Sequence, residues 1–323
     1  MKRRDFLLLT GVTAIAWKPA TAEVAIARIG FIHAGSRQEN QHLLDAFRES
    51  LAALSWIDGN NIAVFDRWAE ERTEALPAII TELIGSGVAV LVTAGTPATL
   101  AAKRASATLP IILVAVDDPV SLGVAKSLGQ PGGNATGLCL SSSEVITERL
   151  ELLRELVPDL HRLAVIVRHD PGLDQKLRDI HSDAQQKGIE ALMLEATTGK
   201  ALELAFTRLR SDRCEAIYVA SGPLGPAKRA QIIALAAEAR LPAIYSFGIF
   251  PTEGGLISFA ADYGDLFRRA AGFVDRVLKG AKPATVSVEP PRKFDLTVNL
   301  GTAKALGLTI PPTILDSADE VIP

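Results

Sequence analysis

Gly129-Gln130-Pro131-Gly132-Gly133-Asn134 is the densest glycine and proline cluster in the chain, and two series of similar pattern lie on either side of it. Upstream, residues 26–32 form an apolar run. Leu43, Leu44, Phe47, Leu51 and Leu54 follow, spaced by three and four as one face of a helix. Residues 62–65 read as a strand. Leu76, Ile79, Ile80, Leu83 and Ile84 mark a second helix face that Gly85 and Gly87 bring to a stop. Residues 88–92 and 111–116 are continuous apolar runs, the pattern of parallel strands buried on both faces. Downstream the alternation restarts. Val145, Ile146, Leu150, Leu153 and Leu156 form a helix face, 163–167 a strand, and Leu173, Leu177, Ile180 and Ala184 another helix face ending at Gly188. Strands at 189–194, 216–220 and 243–247 complete the series. Strand–helix alternation implies parallel sheets with helices on both faces. Two such series imply an α/β chain of two doubly wound parallel-sheet lobes. The cluster at 129–134 is then a loop beside the interlobe hinge, the plainer alternative being a surface turn.

The first residues speak to compartment. Met1-Lys2-Arg3-Arg4-Asp5-Phe6-Leu7 opens a basic segment, an apolar run extends to Trp17, and Ala20-Thr21-Ala22 is a small-x-small cleavage site. Together they predict a signal peptide over 1–22, with an apolar run shorter than the roughly 20 residues a bilayer span needs. Arg3-Arg4 followed by Phe6-Leu7 resembles the twin-arginine pattern, and both that route and the general secretory route stay open. With no Cys at the cleavage site, no lipid anchor is expected. The expected location is the periplasm.

The chain carries 34 Lys+Arg against 37 Asp+Glu. Removing 1–22 takes four basic residues (Lys2, Arg3, Arg4, Lys18) and one acid (Asp5), leaving 30 against 36 and a net charge of −6. That balance attracts neither nucleic acid nor anionic lipid. Cys139 and Cys214 fit no metal or redox spacing and read as two buried thiols rather than a disulfide.

In open parallel sheets ligands bind beyond the carboxyl ends of the strands. In the first series those loops are His33-Ala34-Gly35-Ser36, Thr93-Ala94-Gly95-Thr96-Pro97 and Asp117-Asp118-Pro119. In the second they are Arg168-His169-Asp170-Pro171, Ser221-Gly222-Pro223 and Ser246-Phe247-Gly248. Thr96 and Pro97 at a helix start offer unpaired N–H groups to a ligand carboxylate. Asp117, Asp118 or Asp170 suits an ammonium. The candidate ligand residues are therefore Ser36, Thr96, Pro97, Asp117, Asp118, His169, Asp170, Ser221, Ser246 and Phe247. Helix capping is the competing role for each Ser, Thr or Asp. Neighbours along a strand point to opposite sides, so one of Asp117 and Asp118 is expected to structure the loop. Trp68, Phe31, Phe247 and Phe250 are the possible ring-stacking partners, against ordinary core packing.

Catalytic motifs are missing. The chain contains no G-x-S-x-G elbow, phosphate loop, H-E-x-x-H or G-x-G-x-x-G, and its five histidines (His33, His42, His161, His169, His181) have no ligand spacing. No cofactor, no metal and no enzymatic activity are expected.

Several segments carry a family likeness. They are Thr96-Pro97-Ala98-Thr99-Leu100-Ala101-Ala102-Lys103, Pro110-Ile111-Ile112 leading to Asp118-Pro119-Val120, and Ser127-Leu128-Gly129 through Gly137. Further on come Arg268-Arg269-Ala270-Ala271 through Pro283, and Thr302-Ala303-Lys304 through Pro312. In this order they resemble the ABC-transporter substrate-binding proteins related to tryptophan- and tyrosine-uptake binding proteins, and they span nearly the whole mature chain. The resemblance implies a type I periplasmic-binding fold with a three-strand hinge. Lobe 1 would be 23–138 plus 257–283, and lobe 2 would be 139–256 plus 284–323 with a late strand at 294–299. It also implies hinge closure on a small organic ligand, an amino acid (aromatic in the better-known members) or related organic acid, and delivery to permease subunits by a monomeric receptor. At Arg168-His169-Asp170-Pro171 many relatives read Asn-Pro, so the charge offered here differs. Two other roles fit the same clamp: presenting ligand to a membrane signalling partner, or acting as an exported α/β enzyme through Asp118, Asp170 or His169.

Overall fold

The structure, a computed structural model, describes residues 26–140, 143–167, 173–220 and 226–323. The signal-peptide reading lies outside them. The chain begins with β1 (Ala27–His33), α1 (Arg37–Ala53), β2 (Ile62–Trp68), α2 (Leu76–Gly85), β3 (Val90–Ala94), α3 (Thr96–Ala105), β4 (Ile111–Val116) and β5 (Ala135–Cys139). These strands form one parallel sheet in the order β2-β1-β3-β4-β5. Every residue of β3 and β4 is buried, as a continuous apolar run between two helix layers requires.

The chain then crosses to α4 (Ser143–Leu156), β6 (Arg162–Val167), α5 (Leu173–Gln186), β7 (Glu190–Glu195), α6 (Gly199–Ser211), β8 (Ala216–Val219), α7 (Pro226–Ala239), β9 (Ala243–Tyr245), α8 (Ile249–Thr252) and β10 (Ile257–Ala261). It returns to the first lobe as α9 (Tyr263–Leu278). It ends in the second lobe as β11 (Phe294–Asn299), α10 (Leu300–Leu306), α11 (Pro312–Ser317) and β12 (Glu320–Ile322). The second sheet runs β12-β11-β10-β9-β8-β6-β7. It is parallel except where β11, entering after the last crossing, runs antiparallel to β10.

Each sheet separates two apolar layers. In lobe 1, Leu43, Leu44, Phe47 and Leu51 of α1 pack with Leu266, Phe267, Ala270 and Phe273 of α9 on one face, and α2 and α3 cover the other. In lobe 2, α4 and α5 cover one face and α6 and α7 the other. Cys139 and Cys214 are buried as thiols in the cores of different lobes, and burial raises the Cys214 thiol.

Two lobe boundaries differ from expectation. Residues 257–261 were expected in lobe 1, but β10 pairs in parallel with β9 and antiparallel with β11 inside the lobe 2 sheet. Moving β10 away would leave both its edges and its apolar side chains without partners, so the crossing comes after Ala261. Residues 286–289 were expected in lobe 2, yet they lie along β5. Val288 N donates to Leu128 O (2.7 Å), Glu289 N to Gly137 O (2.9 Å), and Cys139 N to Glu289 O (3.0 Å). On its other edge β5 needs a glycine at 137 to lie against β4: its φ is +140° and an added Cβ would lie 2.1 Å from Leu113 O.

Candidate functional site

Helices α5, α7 and α1 each begin just beyond the carboxyl end of a strand, so their first turns line the rim of a sheet. Lys176 in the first turn of α5 pairs with Asp117 beyond β4, Nζ to Oδ1 3.0 Å. Arg229 in the first turn of α7 pairs with Glu39 in the first turn of α1, Nη2 to Oε1 3.2 Å. Both ion pairs run from lobe 2 to lobe 1. They hold the carboxyl ends of the two sheets face to face, with a cleft between.

The lobe 1 wall is built at four strand ends. β4 carries a register shift between Val114 and Val116, and Ala115 there takes φ 55°. A bulge of this kind re-aims the residues after it, here Asp117. Thr96 Oγ1 donates to Asp117 Oδ2 and accepts from Asp117 N, both at 3.1 Å, which locks β4 to the start of α3. Gly95, at φ 85°, makes the turn into α3.

Aromatic rings supply the rest of that wall. His33 ends β1, with its ring 5.1 Å from Trp68 and 6.2 Å from Phe267 between centroids. Its Nδ1 accepts from Gly35 N at 2.9 Å, which leaves the proton on Nε2. Burial first, then the charge of His42, lowers its pKa to about 4, so the ring is neutral at pH 7. Trp68 donates from Nε1 to Asp66 Oδ2 (2.9 Å), and the Arg37 guanidinium lies 5.8 Å from the Trp68 ring centroid and pairs with the same carboxylate.

Tyr263 stands where the chain re-enters lobe 1, at the start of α9, which Asp262 caps by accepting from Asp265 N (2.8 Å). Phe247 of lobe 2 approaches its ring at 6.1 Å. Burial raises the Tyr263 phenol above its ordinary value, and the Asp117 carboxylate adds to the effect while Arg149 opposes it.

The expected site residues divide. Thr96 and Asp117 meet in the cleft, and Pro97 occupies the first turn of α3 beside them. Ser246 Oγ is buried without a hydrogen-bond partner among the described residues, and Phe247 is half-buried against lobe 2 and Tyr263. Ser36 caps α1, accepting from Glu39 N at 3.3 Å. Asp118 accepts from Val120 N at 2.9 Å and shapes its own loop, whereas Asp117 reaches across to Lys176 of lobe 2. His169, Asp170 and Ser221 lie outside the described residues. Among the ring candidates Phe31 and Phe250 are fully buried core residues, and Trp68 is half-buried at the end of β2.

Lys176, Arg229, Glu39 and Tyr263 were not anticipated. The first three are legible in retrospect as charges in the first turn of helices that follow strands. Such an arrangement can grip a small zwitterion or acid against neutral rings. Among the described residues no group of three His, Cys, Asp or Glu side chains could hold a metal ion, and no helix is long and apolar enough to cross a membrane.

Comparison with known proteins agrees with this architecture. The family described as ABC transporter substrate binding protein matches residues 25–322. A tyrosine-binding protein of Clostridioides difficile (strain R20291) is 26% identical over 264 residues, covering 81% of this chain and 75% of the relative. A solved ABC domain from Streptococcus pneumonia in complex with L-Trp superposes with a TM-score of 0.84 at 23% identity, covering 92% of this chain and 100% of that one. The ligand-free, open structure of a Clostridium difficile substrate binding protein with adhesive properties gives 0.74 at 21% identity, covering 92% and 99%.

Proposed function

Because the chain belongs to the ABC transporter substrate-binding protein family, we propose that it is the exported receptor of an importer, closing on an aromatic amino acid or related organic acid and handing it to permease subunits. The supporting observation is the cleft itself. Two ion pairs, Lys176–Asp117 and Arg229–Glu39, draw the strand ends of both lobes together over the neutral rings of His33 and Trp68. Rings of that kind suit an aromatic side chain, and Asp117 suits an ammonium. The ligands of those relatives, tyrosine and L-Trp, point the same way. The basic-then-apolar sequence of residues 1–22 supports a periplasmic site of action.

A thermal-shift screen of refolded, ligand-stripped protein beginning at Glu23 tests the reading, using amino acids, aromatic acids and small sugars. A ligand that binds only the folded state stabilises it by about 2.7 kcal/mol at a hundredfold excess over Kd. The expected result is a shift confined to aromatic amino acids or acids, with the compound recovered unchanged. Turnover of the bound compound would overturn the receptor role, and a shift confined to sugars would overturn the ligand class.

A further inference from the structure

Arg149 is 7% exposed, on the buried face of α4, the first element after the chain enters lobe 2. Its Nε donates to Phe259 O at 2.7 Å and its Nη1 to Tyr218 Oη at 2.9 Å, with the guanidinium 5.8 Å from the Tyr218 ring centroid. All these partners are neutral, and no carboxylate among the described residues pairs with it. Arg229 is equally buried but has two carboxylates, Glu253 and Glu39. A guanidinium removed from water without a counter-charge is costly, so a buried one is normally paired.

The position of Arg149 suggests where its counter-charge comes from. β9 and β10 pair in register only at Ile257↔Ile244 and Ser258↔Tyr245. One residue on, Phe259 is level with Ser246, where β9 has ended. Arg149 takes the Phe259 carbonyl at that point, on the cleft end of the lobe 2 sheet. The Ser246 hydroxyl at the same level is buried and has no partner among the described residues. Tyr263, at the hinge, lies within electrostatic reach of both Arg149 and Asp117.

We propose that Arg149 is the carboxylate anchor of the cleft, with the Ser246 hydroxyl donating a second hydrogen bond to the same group. This rests on the receptor reading above and assigns the residues that hold the ligand's free carboxylate. An α-amino acid then spans the cleft. Its carboxylate lies on Arg149 and Ser246 of lobe 2, its ammonium on Asp117 of lobe 1, and its ring against His33 and Trp68. Binding both lobes through opposite charges of one small molecule is what favours the closed state.

Titration calorimetry of the mature protein with L-tryptophan and L-tyrosine, and with their carboxamides, tests the assignment. The wild type is expected to prefer acid over amide by about 100-fold, the scale lost when one partner of a buried charge pair is removed. Arg149→Gln is expected to abolish that preference, because it costs the acid far more affinity than it costs the amide. Arg149→Lys keeps the charge and the fold but loses the planar fork, and is expected to retain roughly a tenth of the preference. Retention of the full acid-over-amide ratio in either variant overturns the anchor while leaving the receptor reading intact. Failure of the wild type to bind either amino acid overturns the aromatic amino-acid reading itself, and the anchor with it.

Discussion

The two bridges between the lobes differ in burial and in what each retains when the cleft opens. The Arg229 side chain is 5% exposed and is held by Glu253 from its own lobe as well as by Glu39 from the other. In the second bridge Lys176 is 30% exposed and Asp117 40%. Arg229 therefore keeps a counter-charge when the lobes part and reaches across again without first losing water. Lys176 and Asp117 are each half hydrated already. A ligand ammonium that takes the place of the lysine on Asp117 substitutes one modest contact for another. One bridge is suited to hold a closed geometry, and the other to be exchanged when the cargo arrives.

Arg229→Met should separate the two most sharply. It keeps an apolar stem in the buried position and leaves Glu39 and Glu253 facing one another with no cation between them. The expected loss is about 3 kcal/mol of unfolding free energy in urea, since the buried guanidinium's charged hydrogen bonds to both carboxylates are lost, while Glu39 and Glu253, 41% and 36% exposed, are left to repel one another. Scattering should show a wider ligand-free molecule. A loss no greater than that of Lys176→Met would erase the distinction between the bridges.

The aromatic wall between them responds to pH. His33 has a folded pKa of about 4 against an ordinary value of 6.5, so the unfolded chain takes up a proton that the folded protein refuses. Its contribution is fully present above about pH 6.5, declines as pH falls towards 4, and does not decline further below that. The loss is about 3 kcal/mol across that window. His33→Gln should flatten the decline, measured as urea midpoints between pH 7 and pH 4. If the variant follows the wild type, His33 takes up its proton in the fold as readily as in the unfolded chain, and the ring wall becomes charged below about pH 6.5.

Much of the scaffold can be read locally. β4 falls on the expected 111–116, because it is a continuous apolar run bounded by turn residues, while β11 falls on the 294–299 that the family resemblance implied. The lobe to which β10 belongs is not local information. The sequence Ile257-Ser258-Phe259-Ala260-Ala261 specifies a strand, but only its neighbours β9 and β11 decide the sheet. The site divides along the same line. The rule of strand ends, which depends only on element order, points to Thr96 and Asp117, which the structure joins by hydrogen bonds. Arg149 looks like any charge on an amphipathic helix, between Glu148 and Leu150. Only its burial on the inner face of α4 and the neutrality of its partners single it out. Ser36 and Asp118 show the limit of the rule, since loops of the right composition also need capping and turn residues.

The exchangeable bridge gives the smallest effect. Asp117→Asn removes the Lys176 pair and keeps a side chain able to hydrogen-bond Thr96. Ligand-free stability should change by less than about 1 kcal/mol, because both charges are well hydrated. Affinity for an amino acid should fall about tenfold, because its ammonium loses a carboxylate. Salt supplies the discriminating arm. Raising ionic strength to 1 M shortens the screening length to about 3 Å and weakens half-exposed pairs before buried ones. Wild-type affinity for an amino acid should therefore fall with salt, and that dependence should largely vanish in Asp117→Asn. If instead it persists in Asp117→Asn and vanishes in Arg229→Met, the roles of the two bridges are reversed.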